Sequence, residues 1–127
     1  MIAVLDTNVL YPPSLRDLLM WLAAVNAFEP RWTDAIHNEW MRHVLKDRPD
    51  LTIAQLERTR DLMNLVDPKC LVTGYEERIA GLILPDQDDR HILAAAIEAG
   101  ASVIVTFNLR DFSNESVGSP WHSCSAS

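Results

Sequence analysis

Basic charge is scarce in this chain. Eleven lysines and arginines stand against eighteen aspartates and glutamates, for a formal net charge of −7. That argues against a broad electrostatic grip on nucleic acid, which needs a basic surface. It does not exclude an enzyme that meets phosphates through metal ions, because clustered carboxylates make a chain acidic. An acidic surface also suits a basic protein partner. Long apolar runs are missing as well. None approaches the ~20 residues of a membrane span, so no membrane role is expected. No basic n-region or apolar h-region opens the chain, and an acid already stands at position 6. Cysteine is limited to Cys70 and Cys124, distant from each other and without metal-type spacing. The expected setting is reduced and cytoplasmic.

What remains is ordinary globular composition, 48% hydrophobic and 23% charged over 127 residues. A chain of this length reads as one domain and hides roughly two-thirds of its unfolded surface. Its clearest local signal is Ile2-Ala3-Val4-Leu5 followed by Asp6-Thr7-Asn8. A short apolar run closed by turn residues predicts a buried strand. An acid at the end of such a strand is costly unless it is solvated, paired or bound to a cation. In open α/β sheets that edge is where ligands bind.

Further along, Leu15, Leu18, Leu19, Leu22 and Val25 recur at helical spacing and predict a helix over 13–25 with Arg16 and Asp17 off its buried face. A second strand is expected at 31–33, then a helix over 35–46 with Glu39 bordering its apolar side and His43 one turn on. Thr52 caps a third helix over 53–66, whose charged residues read as a solvated face. A third strand is expected at 70–73, and residues 76–84 read ambiguously as a short helix. A helix over 90–99 stops at Gly100, and Ser102-Val103-Ile104-Val105-Thr106 is the best strand of the second half. Strands alternating with helices predict a parallel sheet with helices on both faces. Residues 113–127 hold six serines and little periodicity. They read as a loop-like tail, or as a domain end that has been lost or replaced.

Acids recur at equivalent places in this pattern: Asp6 after the first strand, Glu39 on the helix after the second, Asp88 and Asp89 before the last strand, Asp111 after it. In a right-handed parallel sheet these positions share one edge. Carboxylates gathered there repel each other unless a divalent cation neutralises them. All-oxygen ligands select hard ions, Mg²⁺ or Mn²⁺, which support phosphodiester hydrolysis by activating water and stabilising the leaving oxygen. By spacing alone, Asp89 reads equally as a helix cap and Asp111 as a turn residue. Helical geometry does not separate Asp88 from Asp89.

The words around these acids carry a resemblance. Leu5-Asp6-Thr7-Asn8-Val9-Leu10, Glu39 in a helix, Asp89-Arg90-His91-Ile92-Leu93-Ala94-Ala95-Ala96 and Val105-Thr106-Phe107-Asn108-Leu109-Arg110-Asp111-Phe112 together resemble the PIN-domain ribonucleases, the family that includes the VapC toxins of bacterial toxin–antitoxin pairs. The resemblance spans residues 1–112, leaving 113–127 as an atypical serine-rich tail. It implies a three-layer α/β/α sandwich and Mg²⁺- or Mn²⁺-dependent cleavage of single-stranded RNA, with an antitoxin protein as partner; a homodimer is a separate candidate state. It implies four catalytic acids, Asp6, Glu39, Asp89 and Asp111, with Asp6, Asp89 and Asp111 as metal ligands. Asp89 rather than Asp88 aligns with the third acid. Thr7, Asn8, Thr106 and Asn108 would support the site by hydrogen bonding. Arg16, Arg42 and Arg90 are candidates for RNA phosphate contacts, and for each a solvated charge is an equal reading. His43 and His91 read as structural or surface residues.

The family normally continues past the Asn-x-x-Asp-Phe segment into another strand, whereas Gly118-Ser119-Pro120 would interrupt one here. The expectation is therefore a sheet lacking its last edge strand, with an exposed edge open to pairing. Two other functions compete. One is a PIN-like module that has lost activity and binds protein or RNA. The other is a phosphoacceptor or phosphatase using Asp6 as nucleophile. That class wants a second acid two residues on, where Asn8 stands, and a lysine after the last strand, where neither Lys46 nor Lys69 lies.

Overall fold

The structure is a computed structural model describing residues 1–81, 87–107 and 122–124. Its centre is β1 (Ile2–Leu5). Ala3, Val4 and Leu5 are all buried. Successive strand residues point to opposite faces, so β1 is covered on both sides, as its unbroken apolar run requires. β2 (Glu29–Arg31) pairs with it in parallel, Ile2 against Glu29 and Val4 against Arg31. β3 (Val103–Val105) pairs on the other side, Ala3 against Val103 and Leu5 against Val105. With β4 (His122–Cys124) the order is β2-β1-β3-β4, every neighbouring pair parallel.

Helices make the crossovers. α1 (Thr7–Leu10) is a single buried turn directly after β1. α2 (Pro13–Ala24) opens with proline at its first position, where the missing N–H costs nothing. α3 (Asp34–Asp47) begins after Thr33, whose hydroxyl accepts from the Ile36 amide at 3.1 Å. α4 (Ile53–Asn64) starts with a reciprocal capping box, Thr52 with Gln55. After a 3₁₀ turn at Glu76–Gly81, α5 (Gln87–Ala99) returns along the sheet. Gly100 ends it at φ 66°, a left-handed conformation that costs other residues strain. Ser102 then bonds back to the Ile2 carbonyl at 2.9 Å. The end of α5 thus lies at the start of β1, and its first turn at the opposite, carboxyl-terminal edge. Ala94, Ala95 and Ala96 are fully buried. No helix among the described residues is long and apolar enough to cross a membrane.

The α/β parallel fold expected from the alternation is present, with four differences. The strand expected at 70–73 shrinks to one parallel bridge, Trp32 with Leu71. Only the Trp32 amide and carbonyl reach it, bonding Cys70 and Val72 at 2.9 and 2.8 Å. α1 stands where turn residues were read, because the Asp6 side chain accepts from the Thr7 amide and starts the turn. α2 is rotated relative to its leucine stripe: Leu18, Trp21 and Val25 are exposed and Arg16 is buried. Finally, the sheet keeps its edge strand. β4 pairs Val103 with His122 and Val105 with Cys124, correcting the expectation of a missing edge. Three residues of backbone suffice for that ladder, and a strand so short leaves little periodic signal.

Candidate active site

The carboxyl-terminal edge of the sheet has a topological switch between β1 and β3: from β1 the chain crosses to β2 on one side, while β3 pairs on the other. Ligands of open α/β sheets bind at such points. Asp6 leaves β1 there, and its amide extends the ladder by bonding the Val105 carbonyl at 3.1 Å. Each of its carboxylate oxygens has a donor. Oδ1 accepts from the Thr7 amide at 2.7 Å and Oδ2 from the Thr106 hydroxyl at 2.8 Å. Asn8 clamps the same edge: its Nδ2 donates to Thr106 at 3.3 Å and its Oδ1 accepts from the Phe107 amide at 3.3 Å.

Glu39 enters from α3. Its Oε2 accepts from the Thr7 hydroxyl at 2.6 Å, so two adjacent residues, Asp6 and Thr7, tie both acids to one turn of chain. Burial raises the Asp6 carboxyl above its ordinary range; the hydrogen bonds from Thr106 and Thr7 oppose this, Glu39 pushes it further up and His91 pulls it back. The physical content is that Asp6 is held where its charge is poorly solvated and next to another acid. His91 lies in the early part of α5, two residues past Asp89, and its Nδ1 is buried with no hydrogen-bond partner among the described residues. The coupling of His91 to Asp6 brings the start of α5 to the same edge.

Asp6 and Glu39 supply oxygen donors only, the donor class of hard ions, and the desolvated Asp6, pushed further up by Glu39, gains from a cation beside it. Among the described residues no group of three possible ligands assembles. Asp89 belongs to the first turn of α5, but its side chain and that of Asp88 lie outside the described residues, as do Asn108 and Asp111 altogether. The donors present fit the ion, and the remaining ligands named from sequence are not among the described groups.

Of the expected site residues, the structure brings together Asp6, Thr7, Asn8, Glu39 and Thr106. Of the three arginines, Arg42 is exposed on α3 and Arg90 is half-buried and engaged. Arg16 is only 8% exposed. Its Nη1 donates to the Leu10 and Tyr11 carbonyls at 2.8 and 3.2 Å, and its guanidinium lies 4.5 Å from the Trp40 ring centroid. It closes the end of α1 from inside. Reading the sequence did not single out Tyr11, Lys46 and Asp47, which line a cleft beside Asn8. The signal for two of them was the α3 spacing: Glu39, His43, Lys46 and Asp47 fall on one helical face.

Comparison with known proteins agrees with this architecture. A solved structure, VapBC2 from Rickettsia felis bound to a DNA fragment from their promoter, superposes with a TM-score of 0.66 at 18% identity, covering 100% of both chains. At that identity the likeness concerns the fold. No curated protein matches the chain by sequence. The PIN domain family model matches residues 3–110, a span that contains β1 from Ala3 onward, the switch point and Glu39, and the chain therefore belongs to the PIN-domain family.

Proposed function

We propose that this protein is a divalent-metal-dependent endoribonuclease that hydrolyses phosphodiester bonds of single-stranded RNA, acting as the toxin of a toxin–antitoxin pair. The observation that carries the reading is the junction of Asp6 and Glu39 at the switch point, where the poorly solvated Asp6 meets a second acid and Thr7 and Thr106 fix their oxygens. Asp6, Asp89 and Asp111 would hold Mg²⁺ or Mn²⁺. When bound, the ion lowers the pKa of a water and stabilises the leaving oxygen. Glu39, its Oε2 engaged by Thr7, offers its other oxygen to orient the attacking water and accept a proton. Thr106 and Asn8 keep the Asp6 carboxylate from rotating. No side chain of this site needs to act as a nucleophile.

A protein partner is supported separately. Trp21 on α2 and Leu62 on α4, both well exposed, flank a cleft of about 550 Å³ that also includes Met20, Ala24, Met63 and Leu65. An apolar cleft of that kind favours a protein segment over RNA. The similar R. felis structure is VapBC2 bound to a DNA fragment from their promoter. We assign this cleft to an antitoxin.

Crystals soaked in Mn²⁺ test the catalytic reading. Anomalous density is expected among Asp6, Glu39, Asp89 and Asp111. Mn²⁺ bound elsewhere, with none at Asp6, would contradict it.

A further inference from the structure

The face of α3 that carries Glu39 continues beyond the acids. His43, Lys46 and Asp47 follow at four, seven and eight residues, and with Asn8 and Tyr11 they line an open cleft of about 340 Å³. At 1.5 Å per residue, Glu39 and Lys46 are about 10 Å apart along the helix. Asn8 is the joint: its amide bonds Thr106, which bonds Asp6. The cleft and the acid site therefore share a wall.

Resting on the ribonuclease reading above, we propose that this cleft is the subsite for a nucleotide flanking the scissile phosphodiester, its phosphate on Lys46 and His43 and its base edge on Asp47. Three features support this. In a chain of net charge −7, one of the two lysines stands here, exposed and in no ion pair among the described residues. A phosphate approaching the acid site meets its local positive charge at this point. Next, the Tyr11 hydroxyl donates to Asp47 Oδ2 and fixes that carboxylate, leaving Oδ1 as an acceptor. Finally, a carboxylate accepts well from a base amino group, as with the N4 amine of cytosine. Guanine and adenine also carry amino groups. Uracil flanks its single N–H with two carbonyl oxygens, which a carboxylate repels. The subsite therefore selects against uracil at one position beside the cut.

The test is steady-state cleavage of short RNAs that differ at single positions, by the full chain and its Lys46→Ala, Asp47→Asn and Tyr11→Phe variants, with Arg58→Ala on α4 as a charge-matched control. Lys46→Ala is expected to raise KM about tenfold with kcat little changed, the mark of a contact equally strong before and in the transition state. Asp47→Asn is expected to abolish the discrimination against uracil at one position, whereas Tyr11→Phe, which frees the carboxylate but keeps it, retains most of it. Anisotropy with a labelled RNA, using Asp6→Asn protein without metal, reads the same contacts by binding alone. Cleavage with KM and base preference untouched by Lys46→Ala and Asp47→Asn overturns the subsite and keeps the nuclease. Equal loss of preference in Tyr11→Phe and Asp47→Asn also overturns it, since a structural bond then accounts for the effect. Binding that depends on Lys46 and Asp47 without cleavage by the wild type keeps the subsite and overturns the nuclease. Neither binding nor cleavage overturns both.

Discussion

Thr106 and His37 show how single side chains set the site and its support. The Thr106 hydroxyl is the donor that fixes Asp6 Oδ2. Thr106→Val keeps the shape and deletes that bond, and should lower metal affinity or activity about 10- to 100-fold. Thr106→Ser should retain most of it; titration with Mn²⁺ measures both. Behind the site, His37 is fully buried. Its Nδ1 accepts from Trp40 Nε1 at 3.0 Å, and its Nε2 lies 2.9 Å from Asn64 Oδ1, which also accepts from Trp32 Nε1 at 2.7 Å. Only the neutral ring protonated at Nε2 satisfies both partners. Burial holds its pKa below the ordinary 6.5. Between the folded value and 6.5 the unfolded chain binds the extra proton, so stability is full above pH 6.5 and declines as pH falls below it. Urea melts of wild type and His37→Gln from pH 7.5 to 5 should show that slope in the wild type and a shallower one in the variant. Asp6 was legible because an acid after an apolar run demands a reason. Arg16 was not: what buries it is the Trp40 ring, which belongs to another helix and has no trace in local spacing.

At the scale of elements, caps and stops were easier to read than strands. Thr52 and Gly100 mark boundaries through bonds or dihedrals local to the chain, and both stand where the sequence suggests. Gly100 carries a direct prediction. A Cβ there would meet nothing within 4 Å, yet φ is 66°. Gly100→Ala should cost about 1–2 kcal/mol through backbone strain alone, measured as a shift in denaturant midpoint at constant slope. β4 and the 70–73 bridge were hard to read for a shared reason. Both consist of a few residues whose partners, Val103–Val105 and Trp32, are fixed by tertiary pairing rather than by alternation. α2 was misread in rotation because Leu18 and Val25 share the helical stripe of Leu15 and Leu22, yet both are exposed, as is Trp21. Their exposure makes sense if a partner covers them.

For the whole molecule, one relation organises the rest. The order β2-β1-β3-β4 puts the ends of β1 and β3 side by side, and every described polar contact of the site crosses or borders that switch point. The alternation of elements made this topology legible. The closing acids depend on residues beyond those described, which is why the sequence named more of the site than the described structure assembles. The acidic net charge is consistent with the proposed nuclease, in which a metal and a few local cations, rather than a basic surface, would meet RNA. The measurement that tests this most directly is cleavage of a single-stranded RNA by the purified chain with Mg²⁺ or Mn²⁺, with excess EDTA, and by Asp6→Asn protein. That variant's melting temperature should be no lower than wild type, because it relieves a desolvated charge beside Glu39. Metal-dependent cleavage, lost on chelation and lost in a fully folded Asp6→Asn, is the predicted result. Cleavage that survives both chelation and the substitution would contradict the account.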